Sequence, residues 1–125
     1  MNKIEELIEK LCPNGVEYKK ISEISIKISS GGTPNTSRTE YYNGNIPWLR
    51  TQEIDFGNIL DTYVKITKLG LEKSSAKLIP ANCVILAMYG ATVGKVATNK
   101  IPLTTNQACC NIKINKKRGF IIVII

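Results

Sequence analysis

The chain has 125 residues, 43% of them hydrophobic and 22% charged, with a formal net charge of +7 and a pI near 9.3. These values fit one globular domain that buries its own core, and they exclude a disordered chain. With no histidine in the sequence, Ser–His and Cys–His nucleophile systems and histidine metal sites are excluded as well.

Residues 3–11 place Ile4, Leu7, Ile8 and Leu11 at i, i+3, i+4 and i+7, opposite Lys3, Glu5, Glu6, Glu9 and Lys10. That spacing predicts a short amphipathic helix, which the turn residues of "CPNG" end at Pro13. In "YKKISEISIKIS", Ile24, Ile26 and Ile28 alternate with polar residues and predict a strand over 24–28 after one helical turn. The next stretch, "SSGGTPNTSRTEYYNGNIPW" (29–48), has no hydrophobic period. Its paired glycines at the entrance and its rigid Ile46, Pro47 and Trp48 exit predict a shaped loop, with residues 35–42 left to touch a ligand.

"WLRTQEI" and "TYVKIT" read as strands around a "DFGN" turn at Gly57 and Asn58, and "TKLGLEKSSAK" reads as a single helical turn. "CVILAMYG" is a continuous apolar run and predicts a central strand covered on both faces. "VGKVATN" and "NQACCNIKIN" predict half-buried strands linked by "KIPLTT". The expected fold class is therefore α+β: a strand-rich single domain with long ordered loops and a short N-terminal helix. The expected organisation is a helix and turn over 1–15, a main body over 16–117, and an atypical apolar end over 118–125. The terminal "FIIVII" is an unprotected β-prone hexamer, far short of the ~18 residues of a membrane span, and reads as a truncated or frame-altered end.

Cys12, Cys83, Cys109 and Cys110 form no C-x-x-C pair and follow no signal-like segment. They are expected to be reduced thiols of a cytoplasmic protein, packed as small hydrophobes. Charge is unevenly spread along the chain. Residues 61–100 carry six lysines against Asp61 and Glu72, and residues 101–125 carry three lysines and Arg118 with no acid. A basic excess confined to the second half suits a polyanionic partner, nucleic acid first.

"GATVGK" (90–95) resembles a phosphate loop but has three residues between its glycines instead of four, and Val96 stands where a metal-holding Ser or Thr is required. A tight connection between strands displaying Lys95 is the better reading. What remains is binding chemistry. Arg50, Lys95, Lys100, Gln52, Asn106 and Gln107 are side-chain types that reach phosphates or base edges, and Tyr41, Tyr42, Trp48 and Tyr89 are able to stack on bases. Trp48 serves equally as a core anchor, Tyr42 as a packing residue, and Asn106 as a partner of loop backbone.

The ordered set G-G-T-P, Y-x-G-x-I-P-W, S-S-A-K-L-x-P, G-A-T-x-G-K and T-N-Q-A resembles the target recognition domain of the DNA specificity (S) subunit of type I restriction–modification systems, from about Val16 to Ile114. The resemblance implies a noncatalytic subunit that binds double-stranded DNA and directs methyltransferase (M) and restriction (R) subunits to their target. S-adenosylmethionine, ATP and Mg would then belong to those partners, with no cofactor or metal in this chain. By position it implies that Gly31, Gly32, Thr33, Ser37, Arg38, Tyr41, Tyr42, Arg50, Gln52, Tyr89, Thr92, Lys95, Asn106 and Gln107 face or shape the DNA-binding side. Members often carry arginine in place of Tyr89 and tryptophan in place of Tyr42, and they continue into a spacer helix that has no counterpart here. Two other readings stay open: an assembly or homodimerisation fragment pairing through its terminal segments, and an RNA-binding module.

Overall fold

The computed structural model describes residues 20–115, together with Glu5, Glu6, Glu9, Lys10 and Asn14. Most of the predicted N-terminal helix, Cys12 and the "FIIVII" end lie outside the described residues.

A single helical turn, α1 (Ile21–Ile24), leads into β1 (Ser25–Ser30), as the pattern around Ile24 predicts. A long loop and a 3-10 turn (Thr39–Tyr41) precede β2 (Tyr42–Leu49). The segment read as the strand "WLRTQEI" is instead the end of β2 followed by a second 3-10 turn, Thr51–Glu53. The Glu53 carboxylate accepts from the Arg50 amide at 3.0 Å, stabilising the turn start as an N3 carboxylate does. Short strands β3 (Asn58–Ile59) and β4 (Val64–Ile66) follow, then α2 (Lys68–Glu72), the predicted helical turn, with the Thr67 hydroxyl accepting from the Gly70 amide. The second half supplies β5 (Val84–Ala87), β6 (Val96–Asn99), β7 (Thr104–Thr105) and β8 (Cys109–Ile114). The domain is strand-rich α+β.

The strands form a five-stranded sheet in the order β1-β8-β5-β6-β3 and a three-stranded sheet in the order β4-β2-β7. The apolar run of β5 takes the middle of the large sheet. Its Ile85 and Ala87 join Leu49, Ile54 and Leu103 in the main core, while Val84 packs with Ile112 and Ile114 on the other face. Both faces of β5 are thus covered, which is why its sequence does not alternate. A separate cluster sets Trp48 and Ile66 against Ala76 and Leu71, seating α2 on the small sheet. The alternation in β1 does not bury its isoleucines: Ile26 and Ile28 are 59% and 49% exposed. Among the described residues β1 is an edge strand, with a register irregularity between Ser25 and Lys27, so it has a neighbouring strand on one side alone.

Buried polar groups tie the loops to this frame. Asn99 is fully buried; its Oδ1 accepts from the Cys83 amide, and its Nδ2 donates to the carbonyls of Pro80 and Ile101 at 2.8 and 2.9 Å. Asn111 and Thr105 pair through their side chains, Nδ2 donating to Oγ1 at 2.8 Å. The paired glycines at the loop entrance are a matter of space. A Cβ on Gly31 would lie 2.0 Å from the Thr105 carbonyl oxygen, and one on Gly32 would lie 2.2 Å from Ser75 Oγ. Trp48, 6% exposed, donates from Nε1 to the Gly32 carbonyl at 3.0 Å, so it is the anchor of this loop.

Gly31→Ala is expected to cost about 2 kcal/mol of stability, because the obstructing atoms include backbone that cannot rotate away; urea denaturation checks this. Asn99→Leu, which removes three hydrogen bonds from a fully buried side chain to the backbone, is expected to cost about 3 kcal/mol in the same measurement.

Candidate nucleic-acid interface

The five motif segments, spread over almost eighty residues of sequence, meet in one region. The Gly32 amide donates to the Thr105 carbonyl at 2.9 Å, and Thr33 Oγ1 bonds Gln107 Oε1. β2 and β7 pair in parallel, Trp48 beside Thr104 and Leu49 beside Thr105, and the Asn106 amide donates to the Leu49 carbonyl at 3.0 Å. The Met88 amide donates to the Ala108 carbonyl at 2.8 Å, bringing the 88–95 turn alongside. That turn is closed by Gly90 and Gly94, at φ +96° and +85°, values that favour glycine. Thr92 Oγ1 donates to the Thr51 carbonyl at 2.7 Å, locking the turn to the segment after β2. Ser75 and Ala76 pack on Gly32 from the remaining side.

Gly31, Gly32, Thr33, Arg50, Thr92, Lys95, Asn106 and Gln107 are therefore joined through this network of contacts, while Gln52 is exposed in the second 3-10 turn. Ser37 and Arg38 sit apart on an exposed arm over residues 35–40, and half-buried Tyr41 closes it. Asn35 shapes the arm, its Oδ1 accepting from the Ser37 amide at 3.0 Å and from the Ser37 hydroxyl at 2.7 Å. Arg38 lies 3.6 Å from Glu40, both exposed. The arm returns through Tyr41, whose carbonyl accepts from the Thr67 amide and whose backbone lies against Gly70. Tyr42 is a packing residue here: its hydroxyl donates to the Pro34 carbonyl and its ring meets Trp48 edge-on, centroids 6.1 Å apart. Burial pushes its phenol pKa up, so it stays a donor. Tyr89 is exposed within the 88–95 turn.

The polar groups of the region are arranged in advance. Glu53 is the organising carboxylate. One oxygen accepts from the Arg50 amide and from Arg50 Nε at 3.2 Å, and the other accepts from the Tyr63 amide at 3.1 Å. The guanidinium is held at Nε, its side chain is 32% exposed, and its two Nη groups have no protein acceptor among the described residues. A guanidinium fixed on one edge presents its other edge to a pair of acceptors. Lys95 Nζ sits 2.7 Å from Asp55 Oδ1, so the ammonium is steered and partly neutralised. Asn106 Oδ1 accepts from the Cys109 thiol, which burial pushes up to about 12; Cys109 is a packing group and not a nucleophile.

Glu53, Asp55 and Phe56 belong to the region but were not expected there. Glu53 had a signal, an acid three residues after the turn start. Phe56 had none: it takes φ +62° beside Gly57 at +77° and is 57% exposed. The turn signalled by Gly57 and Asn58 is made with Phe56 and Gly57 in the left-handed region. A bulky residue in this conformation is uncommon, and the turn holds its ring out to solvent. Among the described residues no three carboxylate or thiol groups converge as a metal site, and no helix is long and apolar enough to cross a membrane.

The sequence matches the type I restriction modification DNA specificity domain over residues 13–124. It is 34% identical over 105 residues to the type I restriction enzyme MjaIX specificity subunit of Methanocaldococcus jannaschii, covering 80% of this chain and 23% of that one. It is 35% identical over 96 residues to the EcoR124I/EcoR124II specificity subunit of Escherichia coli, covering 74% and 24% respectively. With the HindI specificity subunit of Haemophilus influenzae the figures are 33% over 98 residues, 76% and 20%. This chain therefore spans about a quarter or less of the length of these relatives. With the family match running through all five motif segments that the fold brings together, the chain belongs to the type I restriction modification DNA specificity domain family.

Proposed function

We propose that this domain binds double-stranded DNA and reads part of a target sequence, without chemistry of its own, as the specificity component of a cytoplasmic type I restriction–modification assembly. Methyltransferase and restriction subunits would be its protein partners, and S-adenosylmethionine, ATP and Mg would be bound by them. The observation that carries the reading is Arg50, fixed by Glu53 with its Nη edge unpaired among the described residues. A guanidinium held this way suits the O6 and N7 acceptors of guanine in the major groove. Gln52, Asn106 and Gln107 carry amide side chains of the kind that suits adenine, while the Lys95 ammonium suits phosphate oxygens. The exposed arm carrying Ser37 and Arg38 is placed to extend the contact.

A second reading, self-association, is favoured by one observation: Ile26 and Ile28 are exposed on edge strand β1, and such edges pair readily. Sedimentation of the purified chain should show a dimer on that reading, and a clean monomer at high concentration rejects it.

For DNA binding, duplex affinity should fall steeply between about 50 and about 200 mM salt; no affinity at low salt, or affinity indifferent to salt, rejects the proposal. Lys95→Ala should weaken binding to all sequences alike. Arg50→Ala should remove preference at one base pair, about 1–3 kcal/mol of discrimination, and Glu53→Gln should lose part of the same preference with overall affinity little changed.

A further inference from the structure

Three lysines from distant parts of the chain meet at a second place. Lys27 on β1 and Lys113 on β8 stand directly opposite each other across the antiparallel pair. Lys77 comes from the segment after α2, and all three line one hollow of about 60 Å³ together with Ser29 and Asn111. Among the described residues no carboxylate lines that hollow. None of the three lysines has an ion-pair partner among the described residues, whereas Lys65 and Lys95 are paired with Asp61 and Asp55. Like charges directly opposite in a sheet repel and destabilise it. Here the repulsion is reinforced by a third cation and relieved by no acid, an arrangement that an anion would complete.

The hollow adjoins the recognition region through shared residues. β1 runs from Ser29 straight into Gly31 and Gly32, and Lys77 follows the Ser75 and Ala76 that pack on Gly32. Asn111, in the wall of the hollow, holds Thr105, whose carbonyl receives the Gly32 amide. An anion seated on the lysines would therefore lie next to the glycine entrance of the recognition region.

We propose that Lys27, Lys77 and Lys113 form a seat for backbone phosphates of the same duplex, flanking the bases that the motif region reads. The inference rests on the DNA-binding reading above. The seat carries no sequence information; it sets register and orientation, and the Ser29 hydroxyl adds a neutral donor.

The test uses the whole chain and a pool of randomised duplexes in a salt titration. Relative to wild type, Lys27→Gln/Lys77→Gln/Lys113→Gln should lose at least about tenfold in affinity at low salt, and its slope of log affinity against log salt should become shallower by about 0.9 for each phosphate contact removed. The sequences enriched from the pool should stay the same. Lys113→Glu supplies the control for folding: it turns the like-charged pair into a complementary one, so its melting temperature should equal or exceed that of wild type while its DNA affinity falls below that of Lys113→Gln. A triple variant with wild-type affinity and slope overturns the seat and leaves DNA reading standing. A changed sequence preference with an unchanged slope also overturns it, since the lysines would then be reading bases. A wild-type chain that retains no duplex at low salt overturns both readings.

Discussion

The whole recognition region depends on how closely the backbone at Gly31 and Gly32 approaches the 75–76 segment and Thr105. There is room for a hydrogen at each Cα and for nothing larger, because the nearest atoms to a Cβ would be the Thr105 carbonyl oxygen at 2.0 Å and Ser75 Oγ at 2.2 Å. A Cβ here is relieved only by moving backbone, since the Thr105 carbonyl and the Ala76 amide do not rotate out of the path. With the approach made, the Gly32 amide reaches Thr105, the Gly32 carbonyl reaches the Trp48 indole, and Thr33 reaches Gln107. Three motifs separated in sequence become one surface through the Gly32 amide and carbonyl and the Thr33 hydroxyl.

Charge in this surface is managed differently on its two sides. Beside the motif region each working cation has an acid assigned to it: Glu53 for Arg50 and Asp55 for Lys95. Glu53 is nearly buried and bonds at three points, so it orients the guanidinium more than it neutralises it. Next to the glycine entrance, Lys27, Lys77 and Lys113 have no such acid among the described residues. Orientation is what discrimination between bases needs, since a bidentate contact fails if the fork turns. Unneutralised charge is what attraction to a phosphate backbone needs, and there geometry matters less.

Stability is carried by a conventional core, but the loops are held by buried polar side chains rather than by apolar packing. Asn99 satisfies three backbone groups of the segments at 80–83 and 101, and Asn111 supports Thr105. Loops crossing a domain interior bring carbonyls and amides that apolar residues cannot pair, and an amide side chain offers a donor and an acceptor at one position. Function-bearing loops can then be rigid without secondary structure of their own.

Residue order alone was enough for the class of fold and for most elements. The turn before β1, the helical turn of α2, the central strand in "CVILAMYG" and the glycine-closed turn of "GATVGK" are all local matters of periodicity, backbone freedom and apolar run length, and each stands where the pattern put it. The resemblance to DNA specificity domains was legible for the same reason, since ordered motifs survive in sequence. The exposure of Ile26 and Ile28, the left-handed Phe56, the packing role of Tyr42, the clamp of Glu53 on Arg50 and the meeting of Lys27 with Lys113 were decided only by tertiary structure. Each depends on which residue from a distant segment arrives beside it, and alternation or propensity along one strand does not encode its neighbour across the sheet.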